Sequence, residues 1–205
     1  MSNDRQQHWD EVYGRKADDQ VSWFQATPRT SLRLVGLASH GRSKASVLDV
    51  GAGTSTLVDE LLETHPDVTV LDVSGEALAA AAHRLGARGG QVSWVQADLL
   101  DWRPGRTFDV WHDRAVFHFL TTAEDIAAYV NLASRAVEPY GALVLGVFAA
   151  DGPTSCSGLP ASGYDAEALT AHFAAAFELE HEERELHHTP AGATQPFTWV
   201  VLRRR

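Results

Sequence analysis

Short apolar runs alternate with segments of helical periodicity over the middle of the chain. Five runs have the length of buried strands: 46–50, 68–72, 92–95, 108–112 and 142–148. This alternation predicts a parallel sheet with right-handed crossover helices. Two later runs, 177–182 and 195–202, have only a loop between them, which favours an antiparallel hairpin at one edge of the sheet.

Helical periodicity and capping residues predict the helices. They are expected at 1–13, from Thr27-Pro28 to about Ser39, and at 54–64, 74–85, 121–137 and 165–174, with Ser74 and Thr121 or Thr122 as N-caps. Glu138 to Gly141 is expected to be a turn. The Gly-, Pro- and Ser-rich segment 149–163 is a loop long enough to be functional. No repeat or second core is evident, so a single domain over 1–205 is predicted, with its core at 45–205.

Composition limits the classes of function. A formal net charge of −10 over 205 residues argues against a nucleic-acid partner, whose phosphates would be repelled. No apolar run approaches the roughly 18 residues of a transmembrane helix, and the start of the chain has no signal-peptide core. The single cysteine, Cys156, excludes an internal disulfide and suits a reducing compartment. The sequence therefore predicts a cytoplasmic protein with no nucleic-acid or membrane partner.

The stretch from Val47 to Leu57 joins the first predicted strand of this pattern to a helix. It carries Asp49 near the end of the strand and then turns through Gly51 and Gly53. Glycine allows unusual φ values and a close approach by a ligand, and the free amides of the following helix face that ligand. The pattern is typical of a nucleotide-type site, but an ordinary strand-to-helix turn is the alternative.

Acidic residues stand at the ends of three successive predicted strands: Asp49, Asp72 and Asp98. In an open parallel sheet these strand ends meet at one crevice. Asp72 follows Gly53 by about 20 positions, the separation at which a carboxylate can accept hydrogen bonds from ribose hydroxyls. Thr56 stands where a dinucleotide fingerprint has glycine or alanine, so no pyrophosphate cradle is predicted.

These motifs together resemble the class I S-adenosylmethionine-dependent methyltransferases, of a small bacterial type. The matching segments are 48–54, 71–74, 96–99, 108–111 and 139–143. Each is weak alone, but five in the right order and spacing are specific. The resemblance implies an α/β, Rossmann-like, doubly wound sheet of seven mostly parallel strands in the order 3-2-1-4-5-7-6, with the last strand antiparallel. It also implies S-adenosyl-L-methionine as the cofactor.

The resemblance further implies roles for individual residues. Gly51 and Gly53 would admit the methionine part of the cofactor, and Asp49 would help to hold its amino group. Asp72, followed by Val73, would accept the ribose hydroxyls. Asp98 would accept from the adenine amine, while the Leu99 amide would donate to the ring. His112 and Asp113 would lie beside the sulfonium.

The N-terminal 40 residues are interpreted as a helical lid. The segments 8–13 and 21–25 are similar to those that cover the cofactor in related enzymes. Trp23 and Phe24 would form a dry roof over the methionine end, where aromatic faces attract a sulfonium. The alternative is that these aromatics only close the edge of the sheet.

The candidate catalytic residues follow the fourth strand. His112 is a candidate general base, Asp113 a group that orients a partner, and Arg114 a clamp for an anionic substrate. His118 is more simply a core or surface histidine, and a structural role is also open for His112. Cys156, with His187 or His188, could line the acceptor pocket. Their spacing is no recognised ligand pattern, so no metal site is predicted.

The predicted function is methyl transfer from S-adenosyl-L-methionine to a small-molecule acceptor, by a monomer or homodimer. The compact length leaves little room for elements that recognise large substrates. Three alternatives stay open: a protein lysine or arginine methyltransferase, a non-catalytic protein that binds S-adenosylmethionine, and a nicotinamide-dependent oxidoreductase. Thr56 and the lack of a Tyr-x-x-x-Lys pair disfavour the last of these.

Overall fold

A seven-stranded sheet forms the centre of the computed structural model, which describes residues 2–15 and 17–205. The strands are β1 Val47–Val50, β2 Val68–Asp72, β3 Val92–Gln96, β4 Phe108–Arg114, β5 Val137–Phe148, β6 Phe177–His188 and β7 Thr194–Arg204. Their order across the sheet is 3-2-1-4-5-7-6. Strand β7 runs antiparallel to both of its neighbours, while β1 to β5 pair in parallel. The predicted topology is confirmed.

Six α-helices flank the sheet in the described residues: α1 Ser2–Arg15, α2 Arg29–Ala38, α3 Leu57–Leu61, α4 Gly75–Leu85, α5 Ala123–Ala136 and α6 Ala166–Phe173. Short 3₁₀ turns lie at Asp18–Gln20, Gly86–Gln91 and Phe117–Phe119. Met1, where the first helix was expected to begin, lies outside the described residues, as does Lys16. No helix in the described part of the chain combines the length and the apolar character needed to cross a membrane.

The alternation of side chains along each strand divides the core into two layers. Val47, Val110 and Trp199 belong to the layer under α2, α3 and α4. Leu48 and Trp111, one position further along β1 and β4, belong to the layer under α5 and α6. Because both faces are covered, the central strands are apolar throughout rather than alternating, as parallel strands usually are.

Side-chain caps begin three of the predicted helices, and in α6 the Asp165 carboxylate accepts a hydrogen bond from the Ala168 amide at 2.8 Å. Ser74 accepts a hydrogen bond from the Ala77 amide at 3.2 Å, and Thr122 accepts one from the Asp125 amide at 3.1 Å. Each cap satisfies one of the amides that a helix start leaves open. The predicted start of α2 differs, since Pro28 precedes the first helical residue and no side chain caps it.

Several local features differ from the expectation. Helix α3 is only Leu57–Leu61, and turns fill the rest of the predicted 54–64 segment. Strand β4 continues past His112 to Arg114, and β6 continues to His188. The predicted turn at 138–141 lies inside β5, as an irregularity opposite β4 between Phe108 and Val110. The loop 149–163 contains a small hairpin that pairs 155–156 with 159–160.

Candidate functional site

A cavity of about 270 Å³ lies across the carboxyl ends of the parallel strands. We call one end its acidic half, lined by Gly51, Asp72, Val73, Asp98 and Leu99. We call the other end its aromatic half, lined by Phe119, Phe148, Phe197, Leu159 and Pro160, together with Arg114 and Cys156. The crevice predicted at the strand ends therefore extends from β3 across to β7.

The glycine turn after β1 takes a backbone conformation that favours glycine. Gly51 and Gly53 have φ values of +60° and +55°. A Cβ on Gly51 would lie 2.0 Å from Cγ2 of Val116, and one on Gly53 would lie 2.0 Å from the Tyr13 hydroxyl. The turn is therefore both left-handed and tightly covered, so a side chain would fit at neither position.

Asp72 fastens this turn to the end of β2. Its carboxylate accepts hydrogen bonds from the Gly53 amide at 2.7 Å and from the Ser74 amide at 2.8 Å. Burial raises the pKa of Asp72 to about 6, although the two amides oppose that shift by stabilising the charged form. The carboxylate lines the cavity as a fixed acceptor whose charge changes near pH 6.

Asp98 stands at the other side of the acidic half. It accepts a hydrogen bond from the Leu100 amide at 3.1 Å and is paired with Nη1 of Arg5 at 3.2 Å. Arg5 belongs to α1, so this ion pair closes the first helix over the cavity. The contact joins residues far apart in sequence, and no local pattern indicates it.

Helix α1 and the 21–25 segment cover the cavity with aromatic rings. The Trp9 ring lies 5.9 Å from that of Trp23 and 5.5 Å from that of Phe119. The Ser74 hydroxyl donates to a carboxylate oxygen of Asp10 at 2.6 Å, which holds α1 at the start of α4. Trp23 lines both the main cavity and a smaller one of about 40 Å³ beside the glycine turn.

His112 is buried on the same side of the sheet as α2. Its Nδ1 lies 2.7 Å from Oδ1 of Asp49, and its Nε2 lies 2.9 Å from the Ser31 hydroxyl. Both ring nitrogens are therefore engaged inside the protein. His112 lines the smaller cavity rather than the main one. The other oxygen of Asp49, Oδ2, is buried and has no hydrogen-bond partner among the described residues.

Asp113 points to the opposite face of the sheet from His112, because β4 continues as a regular strand through both residues. Its carboxylate accepts from the Val116 and Phe117 amides, at 2.9 and 3.1 Å, and from the Tyr129 hydroxyl at 2.6 Å. It is not among the residues that line either cavity. The expectation that Asp113 lies beside the reacting group is corrected: it fixes the turn after β4.

We predict that Tyr129→Phe lowers the free energy of unfolding by about 1–3 kcal/mol, because a buried donor and a buried carboxylate each lose a partner. The Tyr129 hydroxyl accepts from the Trp111 indole at 3.0 Å and donates to Asp113. Urea denaturation measures the change. Tyr140→Phe is the matched control, since Tyr140 is 77% exposed and should change little. Equal effects of the two substitutions would contradict this network.

Arg114 reaches into the aromatic half with an incomplete set of partners. Its Nη1 donates to the Trp23 carbonyl at 3.0 Å, and its guanidinium lies 4.8 Å from the centre of the Phe197 ring. Arg114 lines the cavity, and its Nε and Nη2 are buried and lack a hydrogen-bond partner in the described part of the chain. Burial lowers the pKa of Arg114 to about 10, and the nearby charge of Glu185 opposes that shift. The group is cationic at neutral pH.

The remaining candidates lie around the aromatic half. Cys156 lines it, whereas His187 bonds to the Ser22 carbonyl at 2.7 Å and lies in β6. His118 is fully buried against the Phe148 ring, and burial lowers its pKa to about 3, so it is neutral. No group of three or more His, Cys, Asp or Glu side chains within 2–15 and 17–205 is placed to hold a metal ion.

Several lining residues were not singled out from the sequence. Arg5 and Ser31 reach the site from α1 and α2, and Phe148 and Phe197 face it from neighbouring strands. Phe148 and Phe197 are at least recognisable as the apolar ends of predicted strands. Arg5 and Ser31 carry no such signal, because polar residues are expected on the exposed face of any surface helix.

Sequence comparison relates the central part of the chain to known proteins. The family described as "Methyltransferase domain" matches residues 47–141. Trans-aconitate 2-methyltransferase of Azoarcus sp. (strain BH72) is 33% identical over 103 residues, which are 49% of this chain. The match spans 38% of the length of that relative.

Solved structures share the fold over nearly the whole chain. The N-methyltransferase NodS from Bradyrhizobium japonicum WM9, in complex with S-adenosylhomocysteine, has a TM-score of 0.75 at 17% identity, covering 96% of this chain and 98% of that chain. The 1,6-didemethyltoxoflavin-N1-methyltransferase of Burkholderia thailandensis, with bound 1,6-didemethyltoxoflavin and S-adenosylhomocysteine, has a TM-score of 0.69 at 21% identity, covering 98% and 84%. At these identities the likeness is one of fold.

Proposed function

We infer that this chain is a class I S-adenosylmethionine-dependent methyltransferase, which transfers a methyl group from S-adenosyl-L-methionine to a small-molecule acceptor; the methyltransferase-domain match over residues 47–141 supports this inference. The observation that carries the proposal is one cavity with two different halves. The acidic half offers the carboxylates that a nucleoside needs. The aromatic half extends beyond them and offers an apolar surface with one cation.

The residues present fit the cofactor. Asp49 Oδ2 is a buried carboxylate oxygen that lacks a partner in the described chain, and an ammonium group would complete it. Gly51 of the left-handed turn lines both cavities with backbone that carries no side chain of its own. Asp72 and Asp98 are fixed acceptors for ribose hydroxyls and for an adenine amine. Val73 and Leu99 line the cavity beside them.

When bound, the sulfonium supplies an electrophilic methyl group. The chain's own contribution is to hold the two reactants in line and to exclude water. Trp9, Trp23 and Phe119 make the aromatic cover that serves this purpose. We propose that residues 1–40 act as a lid, which the Arg5–Asp98 ion pair fastens in the closed state. Opening would require that pair to separate.

We propose His112 as a positioning residue rather than a general base. Its ring bonds to Asp49 and Ser31, so it orients the carboxylate that would meet the cofactor's amino group. No imidazole lines the main cavity among the described residues. This favours an acceptor whose nucleophilic atom has no proton to lose when it attacks, such as a carboxylate or a thiolate.

A small acceptor fits better than a protein side chain. The cavity lies beneath α1, whereas a peptide needs an open groove. The curated relative named above acts on trans-aconitate by its name, and one structural neighbour binds a small heterocycle. We further propose a monomer or homodimer in the cytoplasm without a nucleic-acid partner, which the charge of −10 and the single cysteine support.

The experiment for this proposal is methyl uptake from S-adenosylmethionine labelled in the methyl group. The full chain is incubated with pools of carboxylates, thiols, amines and phenols, and in parallel with lysine- and arginine-containing peptides. We expect label in a small carboxylate or thiol. Label in peptides alone would support the protein methyltransferase alternative. Binding of the cofactor without any turnover would support a non-catalytic role.

We predict that affinity for S-adenosylhomocysteine falls as the pH is lowered through 6. The pKa of Asp72 is raised to about 6, so the carboxylate is ionised above that pH and protonated below it. At pH 5 the dissociation constant should be about tenfold higher than at pH 8, since about a tenth of the carboxylate remains ionised. Asp72→Asn should flatten this profile. A profile that is the same in both proteins would contradict the assignment.

The same shift gives the sign of the stability change in the free protein. The folded state binds this proton more tightly than the unfolded chain, whose carboxyl titrates near 3.8. Stability from Asp72 is therefore greatest below that value and declines as the pH rises towards 6. Asp113, whose pKa burial also raises to about 6, contributes in the same direction. The cofactor prefers the ionised Asp72 carboxylate, and at pH 6 about half of this group carries a proton. Cofactor binding at pH 6 should therefore release protons.

A further inference from the structure

We propose that the methyl acceptor carries one carboxylate on an apolar body, and that Arg114 binds this carboxylate in the aromatic half of the cavity. The inference rests on the proposed function, because it names the substrate class of the same site. It starts from the side-chain atoms of Arg114 that the protein itself leaves without partners.

The unpartnered atoms of Arg114 form one edge of its guanidinium. Nε–H and Nη2–H point in nearly the same direction, and both are buried without a hydrogen-bond partner in the described chain. This edge matches the two oxygens of a carboxylate in a bidentate pair. Nη1 is already bonded to the Trp23 carbonyl, which fixes the orientation of the group. The charge of Glu185 lies near the guanidinium but supplies no hydrogen bond to these two donors, and buried donors without an acceptor are costly.

The position of the guanidinium indicates that the carboxylate it binds belongs to the methyl acceptor rather than to the nucleoside part of the cofactor. It lies over the Phe197 ring on β7, and Cys156 of the hairpin lines the same half of the cavity. In sheet order these elements lie beyond β4, whereas Asp72 and Asp98 follow β2 and β3 on its other side. A ligand group that reaches the Nε–Nη2 edge of Arg114 is thus separated from the ribose and adenine contacts by the glycine turn.

The surroundings of Arg114 fit one carboxylate rather than several. Among the described residues that line the cavity, Arg5 and Arg114 are the cations, and Arg5 is paired with Asp98 at the far end. The rest of the aromatic half is apolar apart from Cys156, and the polar residues Thr121 and Gln195, which also line the cavity, are uncharged. A second carboxylate there would lose its hydration without gaining a partner. The acceptor body should therefore be apolar.

The cofactor's own methionine carboxylate is the other source of this chemistry, because Arg114 also borders the smaller cavity that contains Asp49. Two ligands distinguish an acceptor carboxylate from the methionine carboxylate of the cofactor. S-adenosylhomocysteine has this carboxylate and 5′-methylthioadenosine lacks it. If Arg114 binds the acceptor, Arg114→Met should leave the affinity for both nearly unchanged.

The test uses the full chain saturated with S-adenosylhomocysteine and follows ligand binding by NMR titration. The probes are benzoate, phenylacetate and 3-phenylpropionate, each compared with its primary amide, and trans-aconitate as a polycarboxylate. We expect at least one monocarboxylate to bind about tenfold or more tightly than its amide, and more tightly than trans-aconitate. Arg114→Met should abolish this preference, and Arg114→Lys should restore it only in part, because lysine lacks the fork.

Arg135→Met is the matched control, because Arg135 is exposed on α5 and bonds to its own helix. It should keep the full preference. Circular dichroism and thermal melting establish that each variant is folded. Three results would each overturn the inference: no carboxylate preferred over its amide, a preference that survives in Arg114→Met, or tightest binding of trans-aconitate. Loss of affinity for S-adenosylhomocysteine but not for 5′-methylthioadenosine in Arg114→Met would overturn it in favour of the methionine carboxylate.

If the proposed function is wrong, the result differs from all of these. The wild-type chain would then not bind S-adenosylhomocysteine at all, and the saturated protein could not be prepared. A wild-type chain that binds it, with no carboxylate preference, refutes only the inference about Arg114.

Discussion

Replacing Asp72 by alanine should raise the dissociation constant for S-adenosylhomocysteine by about tenfold to a hundredfold, as expected for the loss of two charge-assisted hydrogen bonds. Part of the effect is indirect. The Asp72 carboxylate also holds the Gly53 and Ser74 amides, at 2.7 and 2.8 Å, so its removal loosens the glycine turn. Isothermal calorimetry above pH 7, where Asp72 is ionised, measures the change.

Two further variants separate these contributions. Asp72→Asn keeps one acceptor for the backbone amides but loses the charge, so its affinity should lie between wild type and Asp72→Ala. Asp67→Ala removes an acid just before the other end of β2, where the side chain is 43% exposed and paired with Arg106. That variant should bind like wild type. Unchanged affinity in Asp72→Ala would show that Asp72 does not accept hydrogen bonds from the ribose hydroxyls.

Replacing Gly51 by alanine should weaken cofactor binding by at least about tenfold and lower the free energy of unfolding by about 1–3 kcal/mol. Two causes act together. The φ of +60° is unfavourable for a residue with a Cβ, and that Cβ would lie 2.0 Å from Cγ2 of Val116. Val116 is β-branched and stiff, so relief requires the turn itself to shift. Urea denaturation and calorimetry report the two effects separately.

The matched control for this substitution is Gly90→Ala. A Cβ there meets nothing within 4 Å, so stability and affinity should stay close to wild type. The double variant Gly51→Ala with Val116→Ala removes the overlap but keeps the left-handed backbone, and it should recover part of the affinity. If the Gly51→Ala variant binds the cofactor as tightly as wild type does, cofactor binding does not depend on a close approach of the Gly51 backbone to the cofactor.

The features that the sequence predicts correctly are those set by local pattern. Apolar runs of strand length, capping residues such as Ser74 and glycines at the end of β1 depend on neighbours in sequence, and together they predict the strands and helices of a parallel sheet. The order of the strands follows from the resemblance to the methyltransferase family rather than from local pattern. The acids Asp49, Asp72 and Asp98 follow from the same logic, because the carboxyl ends of parallel strands meet at one crevice. Their positions at the ends of neighbouring strands need no knowledge of distant contacts, whereas their roles toward a cofactor stay a prediction.

The features that the sequence does not reveal depend on register and on long-range pairing. Strand β4 continues two residues beyond its apolar run, so Asp113 turns to the face opposite His112 and Arg114. The register that pairs Asp49 with His112 then places the imidazole on that carboxylate instead of in the main cavity. Hydrophobic pattern carries no information about the partner of a polar side chain at the end of a strand.

Calorimetric titration of the wild-type chain with S-adenosylhomocysteine and, separately, with NADH tests the central claim most directly. The acidic half of the cavity, with Asp72 and Asp98, and the adjoining smaller cavity, with Asp49, lie beside the left-handed glycine turn. Together they should bind S-adenosylhomocysteine as a single saturable site and should not bind NADH. Binding of NADH, or no binding of S-adenosylhomocysteine by a folded chain at pH 8, would contradict the account.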